Sequence, residues 1–173
     1  MSEKVISIKL NSSSIDRAIK ELEQYKRWLK EKEKQLLERL AEIGYWEANV
    51  RFSSAMYDGV NDVVVTMNSS GDEFTIEAQG EAVAFIEFGT GVYYNSGDSY
   101  PGKKPDGVVG IGEFGQGKGQ RRAWFYYGDP GTNGEVQESG VVKTRGNPAE
   151  APMYYATEEM RRSIQQIARE VFG

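Results

Sequence analysis

Apolar and polar positions first alternate over residues 5–10, where Ile6, Ile8 and Leu10 fall on one side and Ser7 and Lys9 on the other, the period of a half-buried strand. From Ser13, with Asp16 three residues later in a capping-box arrangement, strong helix formers run to about Ile43 and predict a long helix. Its apolar residues recur at a seven-residue step, Ile15, Leu22, Leu29, Leu36, Ile43 and Val50, but the companion positions Lys26, Glu33 and Glu47 are charged. A single stripe packed on a sheet or on a neighbouring subunit fits this pattern better than a coiled-coil seam. Gly44 is the expected end or kink, after which residues 45–56 resume a helical pattern until Asp58-Gly59.

Two β-prone runs, 63–67 and 74–79, flank the turn-forming Asn68-Ser69-Ser70-Gly71-Asp72 and predict a hairpin. Residues 82–88 are apolar and fit a short helix or a strand, the helix being preferred. Residues 90–122 are rich in glycine, with Val108, Val109 and Ile111 as the few apolar members, so a long loop is expected, its amides over 92–120 nearly unprotected from exchange. An aromatic strand at 123–127, turns at Asp129-Pro130-Gly131 and Asn133-Gly134, and a returning strand at 140–143 predict a second ribbon.

After Pro148 and Pro152 the spacing of Met153, Ala156, Met160, Ile164, Ile167, Ala168 and Val171 predicts an amphipathic helix that begins at a proline. Met153, Met160, Ile164 and Ile167 are the side chains expected to bury it against the sheet, beside the long helix. The fold class that results is α+β, a single domain over residues 1–173. A long N-terminal helix and a C-terminal helix pack on a small antiparallel sheet, with a long glycine-rich loop at about 92–120.

Composition narrows the chemistry. The chain has 173 residues, 39% apolar and 27% charged, as in a soluble globular domain. No cysteine and no histidine are present, which removes disulfides, thiol nucleophiles, imidazole bases and the commonest metal ligands. No apolar run reaches bilayer length and the N-terminus lacks a signal pattern, so a cytoplasmic protein without a membrane partner is expected. A net charge of -5 with interspersed acids and bases argues against sequence-specific nucleic-acid binding.

Local motifs add little chemistry. Gly110-Ile111-Gly112-Glu113-Phe114-Gly115 matches a dinucleotide string, but more glycines follow where a helix should start; residues 112–118 resemble a P-loop, yet Gly119 stands where a hydroxyl should meet magnesium. Glu81 with Glu87, or Asp98 with Asp106, could pair for glycoside cleavage, but no spacing fixes that geometry. Asp72, Glu73 and Asp98 lack the spacing of a calcium loop. The aromatic run from Trp124 to Tyr127 has only Arg121 and Arg122 beside it, too thin a basic groove for base stacking. No catalytic, cofactor-binding or metal-ligating residue is assigned, and the chain is read as no enzyme.

Two segments stand out as fixed backbone corners rather than catalytic loops. They are Glu87-Phe88-Gly89-Thr90-Gly91 and Thr144-Arg145-Gly146-Asn147-Pro148-Ala149-Glu150-Ala151-Pro152-Met153-Tyr154. With Phe85 and Ile86 leading into the first, the pair resembles the head-tail joining proteins of long-tailed bacteriophages, the neck or tail-completion family. In that family a long helix, a hairpin, a Glu-Phe-Gly-Thr corner and a proline-rich approach to the last helix follow in this order. Glu87, Phe88, Gly89 and Thr90 occupy the first motif, and Gly146, Pro148, Ala149, Pro152, Met153 and Ala156 the second.

The resemblance implies a structural virion protein, made in the host bacterial cytoplasm. It implies contacts with other neck and tail proteins in a ring, six subunits by analogy with tail symmetry, and no cofactor. The alternatives from the residues alone are a non-viral adaptor that binds a partner through the long helix and a carboxylate glycosidase acting on cell wall.

Overall fold

The computed structural model describes residues 11–89, 101, 123–131 and 134–173. The expected strand at 5–10, most of the glycine-rich loop and both nucleotide-like strings lie outside these residues, as do Thr90, Asp98 and Asp106. The α+β class holds, with eight elements in the order α1 (Ser12–Ser54), β1 (Val64–Ser70), β2 (Glu73–Gln79), α2 (Val83–Phe88), β3 (Trp124–Tyr126), β4 (Glu135–Val136), β5 (Val142–Thr144) and α3 (Pro152–Phe172).

The cap of the first helix lies two residues earlier than the expected Ser13. Asn11 is its N-cap, in extended conformation, and its side-chain oxygen accepts the Ser14 amide at 2.9 Å. The helix then runs 43 residues without a break, through Gly44. That glycine is buried at a crossing: a Cβ there would lie 2.6 Å from the Met160 sulfur and 2.7 Å from Ile76 Cδ1. It is kept small by its neighbours on α3 and β2, and the helix does not end there.

The largest packing in the fold joins α1 to α3. The two run antiparallel: Trp28 meets Phe172 edge to face at 6.2 Å, Arg39 pairs with Glu170, Gly44 lies against Met160, and the Arg51 guanidinium sits 4.3 Å above the Tyr155 ring. The expected stripe is therefore corrected. On α1 the buried residues are Ala18, Ala41, Gly44, Ala48 and Phe52, while Ile15, Leu22, Leu29 and Val50 are exposed. Small residues at 41, 44 and 48 let two helices approach closely, which the larger leucines of the seven-residue step would prevent.

On α3 the buried side chains are Pro152, Ala156, Ile167 and Val171; this helix packs mainly on α1, and Ala156 reaches the core that the hairpin covers. Ile164, expected inside, is 44% exposed, whereas Ile167 is 3% exposed. Ile167→Val is thus expected to cost about 1 kcal/mol, a methylene lost from a close-packed site. Ile164→Asp should cost under about 1 kcal/mol despite introducing a charge. Urea denaturation of the two variants, compared at equal slope, checks the assignment.

The hairpin is tighter than the loop expected at 68–72. Ser70 opposes Glu73, so only Gly71 and Asp72 turn, with Gly71 at φ +63 as a two-residue turn of matching twist requires. Its inner face sets Val65, Ile76 and Ala78 against Ala48, Phe52, Ala82, Ile86 and Ala156, the core of the molecule. The second sheet has three strands in the order β3-β5-β4. Strand β4 was not expected: only two residues long, it directly follows Asn133-Gly134, which reads as a turn, and the Lys143–Glu135 ion pair at 3.4 Å joins it to β5.

Ahead of α2, the Asp62 carboxylate accepts the Ala82 amide at 2.9 Å and the Glu81 amide at 2.7 Å. These backbone bonds hold its pKa below the ordinary carboxylate value. A folded-state value below the unfolded one adds stability above the ordinary carboxylate range, lost as pH falls through the lower folded value. Stability of the wild type should therefore fall more steeply on acidification than that of Asp62→Asn, measured by denaturant titration at stepped pH.

Candidate functional site

The two glycine-bearing segments, fifty residues apart in sequence, meet at one joint. From one side comes α2, a helix of six residues whose Ile86 fills the core and whose next residue, Glu87, is 4% exposed. From the other side β5 ends at Thr144 and the chain runs without regular secondary structure to Pro152, the first residue of α3.

Each side supplies what the other lacks. A helix leaves its first amides and its last carbonyls without internal partners. At the end of α2, the Ile86 and Glu87 carbonyls accept the Glu150 and Ala151 amides at 3.0 and 3.2 Å. At the start of α3, the N-cap residue is Ala151, whose side chain cannot accept a hydrogen bond. Glu87 takes that role from across the joint: the Met153 amide donates to Oε2 at 2.8 Å and the Tyr154 amide to Oε1 at 3.2 Å. These are the second and third residues of the helix, the amides an N-cap side chain would ordinarily satisfy. A carboxylate there also faces the positive end of the helix dipole.

The backbone is strained at two points. Ala151 sits in the left-handed region at φ 49, the one non-glycine with positive φ among the described residues. Such a residue costs about 1–2 kcal/mol and persists where surrounding bonds fix it, here the hydrogen bond that its amide donates to the Glu87 carbonyl. Gly89 is the second. At φ 76 and ψ 174 it lies in a region open essentially to glycine alone, and a Cβ would fall 2.7 Å from the Ala149 nitrogen, 2.8 Å from the Asn147 oxygen and 2.9 Å from the Pro148 carbonyl carbon. Backbone thus lies directly on backbone.

A further polar layer braces the joint from below. The Thr144 hydroxyl donates to the Asp58 carboxylate and accepts the Gly146 amide at 2.8 Å, while Asn147 Oδ1 accepts the Asp58 amide at 2.9 Å. Gly146, at φ +90, makes the bend that brings Asn147 round. Tyr57 stacks on Phe85 at 6.4 Å. Its hydroxyl is pushed up by burial first and then by the carboxylates of Asp62, Asp58 and Glu81, and burial with Asp58 does the same to Tyr126. The Tyr126 hydroxyl donates to the Asp129 carbonyl at 2.7 Å.

Of the residues singled out in the sequence, Glu87, Phe88, Gly89, Gly146, Pro148, Ala149, Pro152 and Met153 all belong to this joint. Asp58 is its unanticipated member, and Thr144 and Asn147, which lie in the second segment but were given no role there, brace it with their side chains. Asp58 was legible only as a helix breaker before Gly59, and nothing local indicates that it would reach a segment nearly ninety residues later. Glu81, the imagined acid/base partner of Glu87, is exposed, and both oxygens of Glu87 are occupied by α3 amides. Among the described residues no cluster of acids could hold a metal ion, and no helix is long and apolar enough to cross a membrane. A groove of about 270 Å³ between α1 and α3 is lined mainly by charged side chains, with Gln35 and Val171, and carries the Arg39–Glu170 ion pair at 2.5 Å.

Comparison with family models, with curated proteins and with solved structures finds no match for this chain.

Proposed function

We propose that this chain is a structural protein of the head-tail junction of a long-tailed bacteriophage, a neck or tail-completion protein that works by taking its place in a ring at the head-proximal end of the tail. The observation that carries the reading is the joint itself. The two segments that resemble the family's motifs are the two halves of one buried corner, and their polar groups are used to fix each other.

The joint suits assembly in a second way. The long glycine-rich segment leaves from Gly89 and returns at β3, which pairs with β5, and β5 runs straight into the joint at Thr144. Both attachment points are therefore set by the same bracing. A segment poor in apolar residues that is held at a fixed base can take its contacts from a neighbouring subunit, with the entropy of ordering it offset by assembly. Its neighbours are other neck and tail proteins, and its setting is the virion, after synthesis in the host cytoplasm.

Localisation in particles tests this. Purified virions should contain the chain, and labelling should place it between head and tail in about six copies, the number that closes a ring on the tail axis. Its absence from purified virions, or its presence along the tail or over the capsid, would sink the reading. A second reading, an adaptor that binds a partner through α1, draws on the exposed Ile15, Leu22 and Leu29 of that helix. Portal, capsid and tail-tube genes beside the gene favour the virion, and a lone neighbouring regulator favours the adaptor.

A further inference from the structure

The two-residue turn of the hairpin closes on a hydrogen-bonded Ser70–Glu73 pair, and such pairs alternate along an antiparallel ladder. Val64, Thr66, Asn68 and Ser70 therefore bond to β2, while the backbone groups of Val65, Met67 and Ser69 point away from it. Among the described residues this sheet has no third strand, and residues 64–70 make no hydrogen bond beyond the hairpin. Strand β1 thus presents a row of unused donors and acceptors.

Exposed edges are ordinarily guarded by charge, proline or a bulge. The edge of β1 has none of these: Val64-Val65-Thr66-Met67-Asn68-Ser69-Ser70 is uncharged and its register is unbroken. The opposite edge is different, since β2 carries Glu73 and Glu77. The inner face is likewise open on the β1 side. Met67 is 36% exposed, although Ile76 opposite it packs against the core.

We infer that β1 pairs with β1 of a second copy, antiparallel about a two-fold axis at Met67, to make one four-stranded sheet. This register engages all the outward residues: Val65 with Ser69 of the second copy, Met67 with its own equivalent, and Ser69 with Val65. Residues directly opposite share a face, so the two Met67 side chains meet on the inner face and cover each other. No charge faces a like charge. The same operation on β2, centred on Ile76, would set Glu77 diagonal to both Glu73 and Glu77 of the second copy, and the repulsion selects β1. One strand edge per copy falls short of the roughly 800 Å² per partner of a standard interface, so the pairing is weak and concentration-dependent. It does not rest on the virion reading, because a ring needs head-to-tail contacts and a two-fold contact closes at two copies.

Amide exchange and sedimentation of the wild type test this together. Mass should rise from monomer towards dimer with concentration, and over the same range the amides of Val65, Met67 and Ser69 should gain protection while those of Phe74, Ile76 and Ala78 do not. The chain has no cysteine, so introduced ones report geometry without background. Under mild oxidation Met67→Cys should form a disulfide dimer, its Cα atoms lying about 5.5 Å apart in the pair. Val64→Cys and Ser70→Cys should each stay monomeric alone, because like positions lie about 20 Å apart at ~3.4 Å per residue, and should cross-link when mixed. Thr66→Lys, which brings two ammonium groups together across the axis, should abolish the rise in mass with an unchanged melting transition. A wild type that stays monomeric throughout, protection gained at the β2 edge instead, or a Val64→Cys variant that cross-links to itself as readily as Met67→Cys would overturn the inference.

Discussion

Replacing Gly89 by alanine is expected to destabilise the protein by about 4 kcal/mol or more, enough to unfold much of a domain whose whole stability is of order 5–15 kcal/mol. Two terms add. The conformation at φ 76 and ψ 174 costs a side-chain-bearing residue about 1–3 kcal/mol. The new methyl would also lie within 2.9 Å of three backbone atoms of Asn147, Pro148 and Ala149, none of which can swing aside as a side-chain tip does. Gly71 separates these terms, since it too has positive φ but has nothing within 4 Å of the place a methyl group would take. Gly71→Ala should cost only about 1 kcal/mol, the strain without the collision. Chemical denaturation of both variants gives the difference, and equal losses would show that the contact at the joint is not what fixes Gly89.

Glu87→Ala is expected to cost about 3–5 kcal/mol. It strands the amides of Met153 and Tyr154 in a partly buried setting, each a loss of about 1–3 kcal/mol, and leaves a cavity where the side chain stood. Glu87→Gln keeps one acceptor oxygen and much of the volume, so it should lose roughly half as much. Hydrogen exchange provides a local check. The first turn of α3 should lose protection in Glu87→Ala before the hairpin does, because the hairpin packs on Phe52 and Ile86 and not on the cap. Uniform loss across the molecule would mean that Glu87 serves the core generally rather than the start of α3.

The elements that could be read from the sequence are those whose signals are local. Gly71-Asp72 supplies the turn the hairpin needs, Pro152 opens α3 where its missing donor is harmless, and the apolar run at 82–88 closes into α2. What escaped depends on distant contacts. Ala41, Gly44 and Ala48 make the close face of α1, but alanine and glycine carry little weight in a hydrophobic periodicity dominated by leucine and isoleucine. Ile164 obeys the amphipathic spacing yet faces outward, because α3 packs mainly along α1 and not across a broad sheet. The two-residue β4 exists through its pairing with β5.

The joint was legible in its glycines and prolines, which mark unusual backbone, and in the order of the two segments. That they would touch was not legible, nor was the reciprocal exchange of amides and carbonyls between α2 and α3. Side-chain partners such as Asp58 and Asn147 are chosen by the folded geometry. Residue type alone gives Asp58 the same standing as any other acid in a chain with 26 of them.

The proposal that this rigid corner serves a head-tail junction is tested most directly by deleting the gene from the phage or prophage that carries it and viewing the particles by electron microscopy. The account predicts DNA-filled heads and separate, completed tails, with joined and infectious particles restored when the wild-type chain is supplied in trans. Normal joined virions in the absence of the chain would contradict it.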